Sequence, residues 1–244
     1  MNYNLILTHK DFLLPFSLGT LGFNDFKVIR CEKSTFVENK YYAEISGLMQ
    51  FYSDNKDKIE NDDIISACSY RRYHFMVNED RFVNSFDYED FLEKNDIVVN
   101  TKECLYKEHP YTALELYGIN EGNQNGLNDG GRSIDLIQCR DVIRDEYPDM
   151  MTAVDKVLMS TDGLHYRNMF AMKGNLFKEY MKFLINVLLT FEEEHLDRIS
   201  TYPKSAIRVM GYLAEYLLNF FIEYKQLNKK ELDFYNTEWK QINL

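Results

Sequence analysis

Ile64-Ile65-Ser66-Ala67-Cys68-Ser69-Tyr70-Arg71-Arg72-Tyr73-His74 decides how the rest of the chain is read. An acidic turn, Glu60-Asn61-Asp62-Asp63, leads into Ile64 to Cys68, a compact apolar run with no charge. A short run of this kind between polar turns reads as a buried strand. Two arginines follow it at once. In an open α/β sheet, ligands bind beyond the carboxyl ends of the strands, so the strand would deliver Arg71 and Arg72 to a binding edge.

Working outward, Tyr3 to Leu7 and Phe26 to Arg30 are two more strands upstream. Between Tyr41 and Tyr52 the apolar residues Tyr41, Ile45, Leu48, Met49 and Tyr52 recur at helical spacing. Downstream, Phe86 to Lys94 reads as a short helix and Asp96 to Val99 as a strand. Gly118 to Gly131 is rich in glycine and asparagine, which tolerate positive φ and form no apolar face. It reads as a loop, either a lid or a solvent-exposed insertion. Ser133 to Glu146 and Asp149 to Met159 are helices, and Asn168 to Met172 is a late strand. Leu176 to Phe191 and Ala206 to Tyr224 are long, mostly apolar helices.

Alternating strands and helices predict an α/β fold: a mostly parallel sheet flanked by helices, with a helical C-terminal half. The expected organisation is one domain over residues 1–228, with halves at about 1–100 and 101–228. Residues 229–244 form a polar tail expected to pack loosely.

Composition narrows the function classes. With 244 residues and 45% hydrophobic content, the chain can bury a substantial core. Its 18 tyrosines and 17 phenylalanines read first as core filling. A net charge of −11 argues against attraction to a nucleic-acid backbone through the overall field. The four cysteines show no CxxC pair and no zinc spacing, which reads as reduced core thiols. The first residues lack a basic start and a long apolar run, and charge interrupts every apolar stretch. A cytoplasmic protein without a transmembrane segment is expected.

Arginine offers a rigid fork of donors that matches phosphate oxygens, so Arg71 and Arg72 point to an anion. The alternative is an ion pair with Asp62 or Asp63. Thr8-His9-Lys10 ends the first strand and so reaches the same edge. Glu44 lies among apolar neighbours, where it would bind a sugar hydroxyl, pair with Arg71 or Arg72, or face solvent. Arg208 and Glu215 stand seven apart in an apolar helix, close to two turns, and so project from one face toward a polar site. His109 is a second candidate base, or a plain helix-start residue. No Asp-x-Asp pair occurs in the chain. Arginine rather than a metal is therefore expected to neutralise a diphosphate.

Several of these landmarks fall in a familiar order. Thr8-His9-Lys10, Glu38 to Glu44, Ser69-Tyr70-Arg71-Arg72-Tyr73, Asn168-Met169-Phe170 and Arg208 to Glu215 together resemble the glycosyltransferase-like domains of bacterial capsular and exopolysaccharide clusters. The resemblance runs from the start to about Tyr224. It implies a GT-A type, Rossmann-like fold with a nucleotide-binding half and an acceptor half. Two positions depart from the pattern. Ser69 stands where a histidine is usual, so that imidazole's role is absent or filled by His74. Tyr216 stands where an arginine commonly follows the late glutamate.

The resulting expectation is a hexosyl- or pentosyltransferase. It would move a sugar from a nucleotide-diphosphate sugar to a hydroxyl of a glycan or lipid-linked glycan. Thr8, His9, Lys10, Glu44, Tyr70, Arg71, Arg72, Asn168 and Arg208 would bind the donor. Glu215 or His109 would handle the acceptor proton. No cofactor is obligatory, and a divalent metal is not expected. Two rivals remain: a phage-type enzyme that glycosylates a hydroxymethylated DNA base, and a non-catalytic nucleotide-sugar or glycan binding module.

Overall fold

The computed structural model describes residues 1–8, 26–103, 112–115, 117, 133–203, 207–236 and 241–243. The strands are β1 (Asn2–Thr8), β2 (Phe26–Arg30), β3 (Ile64–Ser69), β4 (Arg72–Met76), β5 (Arg81–Phe82), β6 (Ile97–Asn100), β7 (Phe170–Lys173), β8 (Lys229–Asn236) and β9 (Gln241–Asn243). They form one sheet in the order β2-β1-β3-β7-β6-β8-β4-β5, with β9 beside β8. The helices are α1 (Asn39–Tyr42), α2 (Ile45–Asn55), α3 (Ser85–Leu92), α4 (Ser133–Glu146), α5 (Met151–Leu158), α6 (Gly174–Ile199) and α7 (Val209–Lys225).

The two-residue period of the central strands sorts their side chains onto two faces. Leu5, Leu7, Ile65, Ala67, Ile97, Val99, Phe170 and Met172 face the main core, which α2 and α4 to α7 cover. Ile6, Cys68 and Met169 turn to the opposite face, where Tyr73, Phe75 and Phe82 of the β4–β5 hairpin cover them. Val98 and Ala171 also face that way, against Tyr88 and Leu92 of α3. Helix α3 begins with a capping box: the Asn84 side chain accepts from the Asp87 N–H, and the Asp87 carboxylate accepts from the Asn84 N–H.

The α/β class is as expected, but the sheet is mixed rather than mostly parallel. β1 pairs parallel with β2 and β3, and β6 with β8, while β7 runs antiparallel to both β3 and β6. After β6 the chain leaves from the carboxyl edge, and it comes back into β7 at that same edge, so no crossover reverses it. Helix–strand alternation along a sequence carries no information on that choice.

Two local expectations change, and one junction gains a strand. The Tyr41–Tyr52 helix is broken at Ala43, which has φ 48° and ψ −132°. Asn39 Nδ2 donates to the Ala43 carbonyl at 2.7 Å and helps hold the break. Tyr73 and His74, for which the sequence indicates no element, belong to β4. Of the expected tail, the part from Lys229 to Asn236 does not pack loosely. Leu232, Phe234 and Asn236 are buried in β8, which lies parallel to β6 over its first half and antiparallel to β4 over its second. Its inward side chains alternate with polar ones, so average polarity hid a strand.

Candidate active site

The directions of the strands fix one edge. Thr8, Ser69 and Asn100 end β1, β3 and β6 there, and Arg167-Asn168-Met169 enters β7 from there. Tyr70 and Arg71 form the turn between β3 and β4, so Arg72 begins β4 at the same edge. The Tyr70 ring is buried, and the Arg71 guanidinium sits 5.2 Å from its centroid.

Charge collects around Arg72. Its guanidinium is substantially buried, and its Nε has no hydrogen-bond partner among the described residues. Burial lowers its pKa, and the neighbouring cations Arg167 and Arg71 lower it further, while the carboxylates Glu44 and Glu215 act against them. Glu215 is the reciprocal case. Burial and the nearby Glu44 push its carboxyl up to about 8, although Arg167, whose backbone N–H donates to it, and Arg72 pull the other way. Arg167 also grips Glu103 through two bonds, Nε to Oε1 at 3.0 Å and a second terminal nitrogen to Oε2 at 2.6 Å. Among the described residues, Glu44 acts on Arg72 and Glu103 pairs with Arg167, while a protonated Glu215 adds no charge at neutral pH.

Backbone geometry places these groups. Arg167 (φ 79°) and Asn168 (φ 51°) are both left-handed, a costly pair for residues that are not glycine. The Asn168 amide donates to the Gly211 carbonyl at 3.3 Å, tying this turn to α7. A side chain at Gly211 would place its Cβ 3.1 Å from Ala43 Cβ and 3.3 Å from the Tyr42 carbonyl oxygen. Glycine there lets α7 reach the corner that presents Glu44, and so brings Glu44 and Glu215 into mutual range.

The sequence-expected residues divide accordingly. Glu44, Arg71, Arg72 and Glu215 come together, and Asn168 braces them. Thr8 is buried at the end of β1, on the same edge. Arg208 is exposed and caps the start of α7 outside its regular turns, so it does not share a helical face with Glu215. His9, Lys10, His109 and the Gly118–Gly131 loop lie outside the described residues. Asp63 accepts from the Glu60 N–H at 2.9 Å, at the opposite end of β3, so it does not pair with Arg71 or Arg72.

His74 does not replace the missing imidazole. It is buried in β4, hydrogen-bonds the Tyr88 hydroxyl at 2.9 Å on the α3 face, and is pushed down to about 4 by burial. Tyr216 donates its hydroxyl to the Ala113 carbonyl at 2.9 Å, an anchoring role. Sequence reasoning missed Arg167 and Glu103. Arg167 directly precedes the recognised Asn168-Met169-Phe170, and a charge just before a buried strand at this edge was the available signal. Among the described residues no group of three or more His, Cys, Asp or Glu is placed to hold a metal. None of their helices is long and apolar enough to cross a membrane.

A family model described as "Domain of unknown function (DUF4422)" matches residues 36–226, a span that contains the whole arginine–glutamate cluster. No curated protein matches. Among solved structures, the apo structure of the bifunctional glycosyltransferase WbbM is similar, with a TM-score of 0.67 and 19% sequence identity. The match covers 96% of this chain and 44% of that one, so the chain spans less than half of that protein. At this identity the likeness is one of fold.

Proposed function

The chain belongs to the DUF4422 family, and from that premise we propose that it is a glycosyltransferase using a nucleotide-diphosphate sugar as donor and a glycan hydroxyl as acceptor. The observation that carries the reading is the partly buried Arg72 guanidinium, whose Nε has no acceptor among the described residues and which is flanked by Arg71 and Arg167 at the carboxyl edge of the sheet. Gathering like charges in a semi-buried place is costly unless an anion completes it. The fold shared with a glycosyltransferase, of GT-A type in our reading, supports a nucleoside diphosphate as that anion.

Negative charge grows on the leaving diphosphate as the sugar bond breaks. Fixed guanidinium groups stabilise that charge more in the transition state than in the ground state. We assign this work to Arg71, Arg72 and Arg167 rather than to a metal ion. Thr8, Tyr70 and Asn168 shape the donor pocket beside them, together with His9, Lys10 and Arg208. Glu215 takes the acceptor proton and Glu44 tunes it, with His109 the other candidate base. Because the Glu215 carboxyl titrates near 8 in the free protein, kcat/KM should rise as pH passes upward through about 8.

The test is donor turnover across a panel of nucleotide sugars, with and without chelator. Arg72→Ala removes a charge-assisted contact worth about 1.5–3 kcal/mol, roughly a ten- to hundredfold loss of rate. Turnover undiminished in an Arg71→Ala, Arg72→Ala double variant would sink the clamp. Donor binding without any transfer would replace the enzyme with a binding module. Activity abolished by the chelator would return the diphosphate to a metal.

A further inference from the structure

The segment from His165 to Asn168 is stitched to α7 on both sides of Glu215. At one end the Asn219 side chain accepts from the His165 N–H and donates to the His165 carbonyl, both at 3.0 Å, and it also donates to the Glu215 carbonyl at 2.8 Å. At the other end the Asn168 amide donates to the Gly211 carbonyl at 3.3 Å. Gly211 and Asn219 stand four residues before and four after Glu215, so the three lie along one side of the helix. Arg167 is held between the two ties and therefore opposite Glu215, and its backbone N–H donates to that carboxyl.

The Arg167 side chain is restrained as well. Glu103, whose backbone pairs with Leu164 just upstream, takes its Nε at 3.0 Å and a terminal nitrogen at 2.6 Å. The Phe234 ring of β8 lies 5.0 Å from the guanidinium. A side chain gripped in this way keeps its charge in one place. The charges that act on the Glu215 carboxyl come from several elements. Glu44, at the corner between α1 and α2, opposes ionisation, and Arg167 favours it more strongly than Arg72 at the start of β4. Glu103 stands behind Arg167 as its partner. On α7 itself, Glu223 is committed to Lys156 and Lys225 to Glu179, while Arg208 is exposed at the helix start.

We propose that Arg167 is the positioning residue of Glu215: its backbone N–H orients the carboxyl, and its restrained guanidinium supplies the fixed positive charge against which the carboxyl releases its proton. The inference rests on Glu215 as the acceptor base, and it gives Arg167 a part on the acceptor side besides its share in the diphosphate clamp. Without that charge, burial and Glu44 would keep the carboxyl protonated further into the alkaline range.

Arg167→Asn tests it, because asparagine tolerates left-handed backbone and so keeps the N–H while removing the charge. Arg167→Gly, which adopts that backbone without steric cost, serves if the first variant does not fold. The Tm gained on adding Glu215→Gln to each background, followed against pH, reads the ionisation of Glu215 with no donor present. That gain should stop growing near pH 8 in the native background and about one pH unit or more higher in Arg167→Asn. Arg167→Lys, which keeps a charge, should move it by about half as much or less. In transfer assays the rising limb of kcat/KM should move up with it, a loss of about tenfold at pH 7 for each unit. The plateau above the limb reads the clamp separately. A stability curve that still levels off near pH 8 in Arg167→Asn, or Arg167→Lys shifting it as far as Arg167→Asn, would overturn the proposal. A stability curve that moves beside a kinetic limb that does not would uphold the hold of Arg167 on Glu215 and strike Glu215 as the base.

Discussion

Glu215 holds an ionisable carboxyl where its charge is disfavoured, and that has a consequence for stability. Its pKa in the folded chain is raised from an ordinary 4.5 to about 8. Between those values the folded chain keeps a proton that the unfolded chain has released, so raising the pH removes stability. Glu215→Gln mimics the neutral acid and escapes the loss. The Tm of the variant minus that of the native chain should be flat below about pH 4.5, grow from there to about pH 8, and level off above. A gap that does not grow between about pH 4.5 and 8 would mean the carboxyl is already charged in the folded chain. At this scale the sequence showed Arg71 and Arg72 at a binding edge, because the end of an uncharged run marks the end of a strand. It did not show that Glu44, Arg167 and Glu215 converge on them. Their meeting depends on the close approach at Gly211 and on two strained dihedrals, neither of which has a local signature.

Among the elements, α6 illustrates how tightly a junction can be set. It begins at Gly174 directly after β7, and the Gly174 N–H donates to the Asp63 carbonyl at 2.7 Å. A Cβ there would lie 2.0 Å from the Glu60 carbonyl oxygen and 2.9 Å from Ile59 Cγ2. That oxygen is backbone, and the 60–63 turn is pinned by the Glu60–Asp63 hydrogen bonds, so it cannot rotate aside. Gly174→Ala should therefore cost about 3 kcal/mol or more, the upper range for overpacking, and lower the urea midpoint accordingly. An unchanged midpoint would show that the turn is free to shift. The long helices were legible because their apolar residues persist over many turns. The break at Ala43 was not, since Tyr41 to Tyr52 keeps helical spacing across it.

At the scale of the molecule, β8 joins two parts of the sheet. Its first half pairs with β6 and its second with β4, and among the described residues no strand but β5 otherwise pairs with β4. A chain ending at Asn228 would leave the β4–β5 hairpin unpaired and expose the apolar face containing Phe75 and Phe82. It should be recovered as aggregate, without a cooperative unfolding transition. A soluble, cooperatively folding truncation would show that the sheet closes without β8. Sequence alone determined which stretches are strands or helices, and that Arg71 and Arg72 stand at a strand's end, because side-chain period and charge are properties of short windows. Only the tertiary structure decided the direction of β7, the place of β8 and the company Arg72 keeps. Those depend on which distant segments pack together, and the free energy of that packing belongs to the assembled core rather than to any window of the chain.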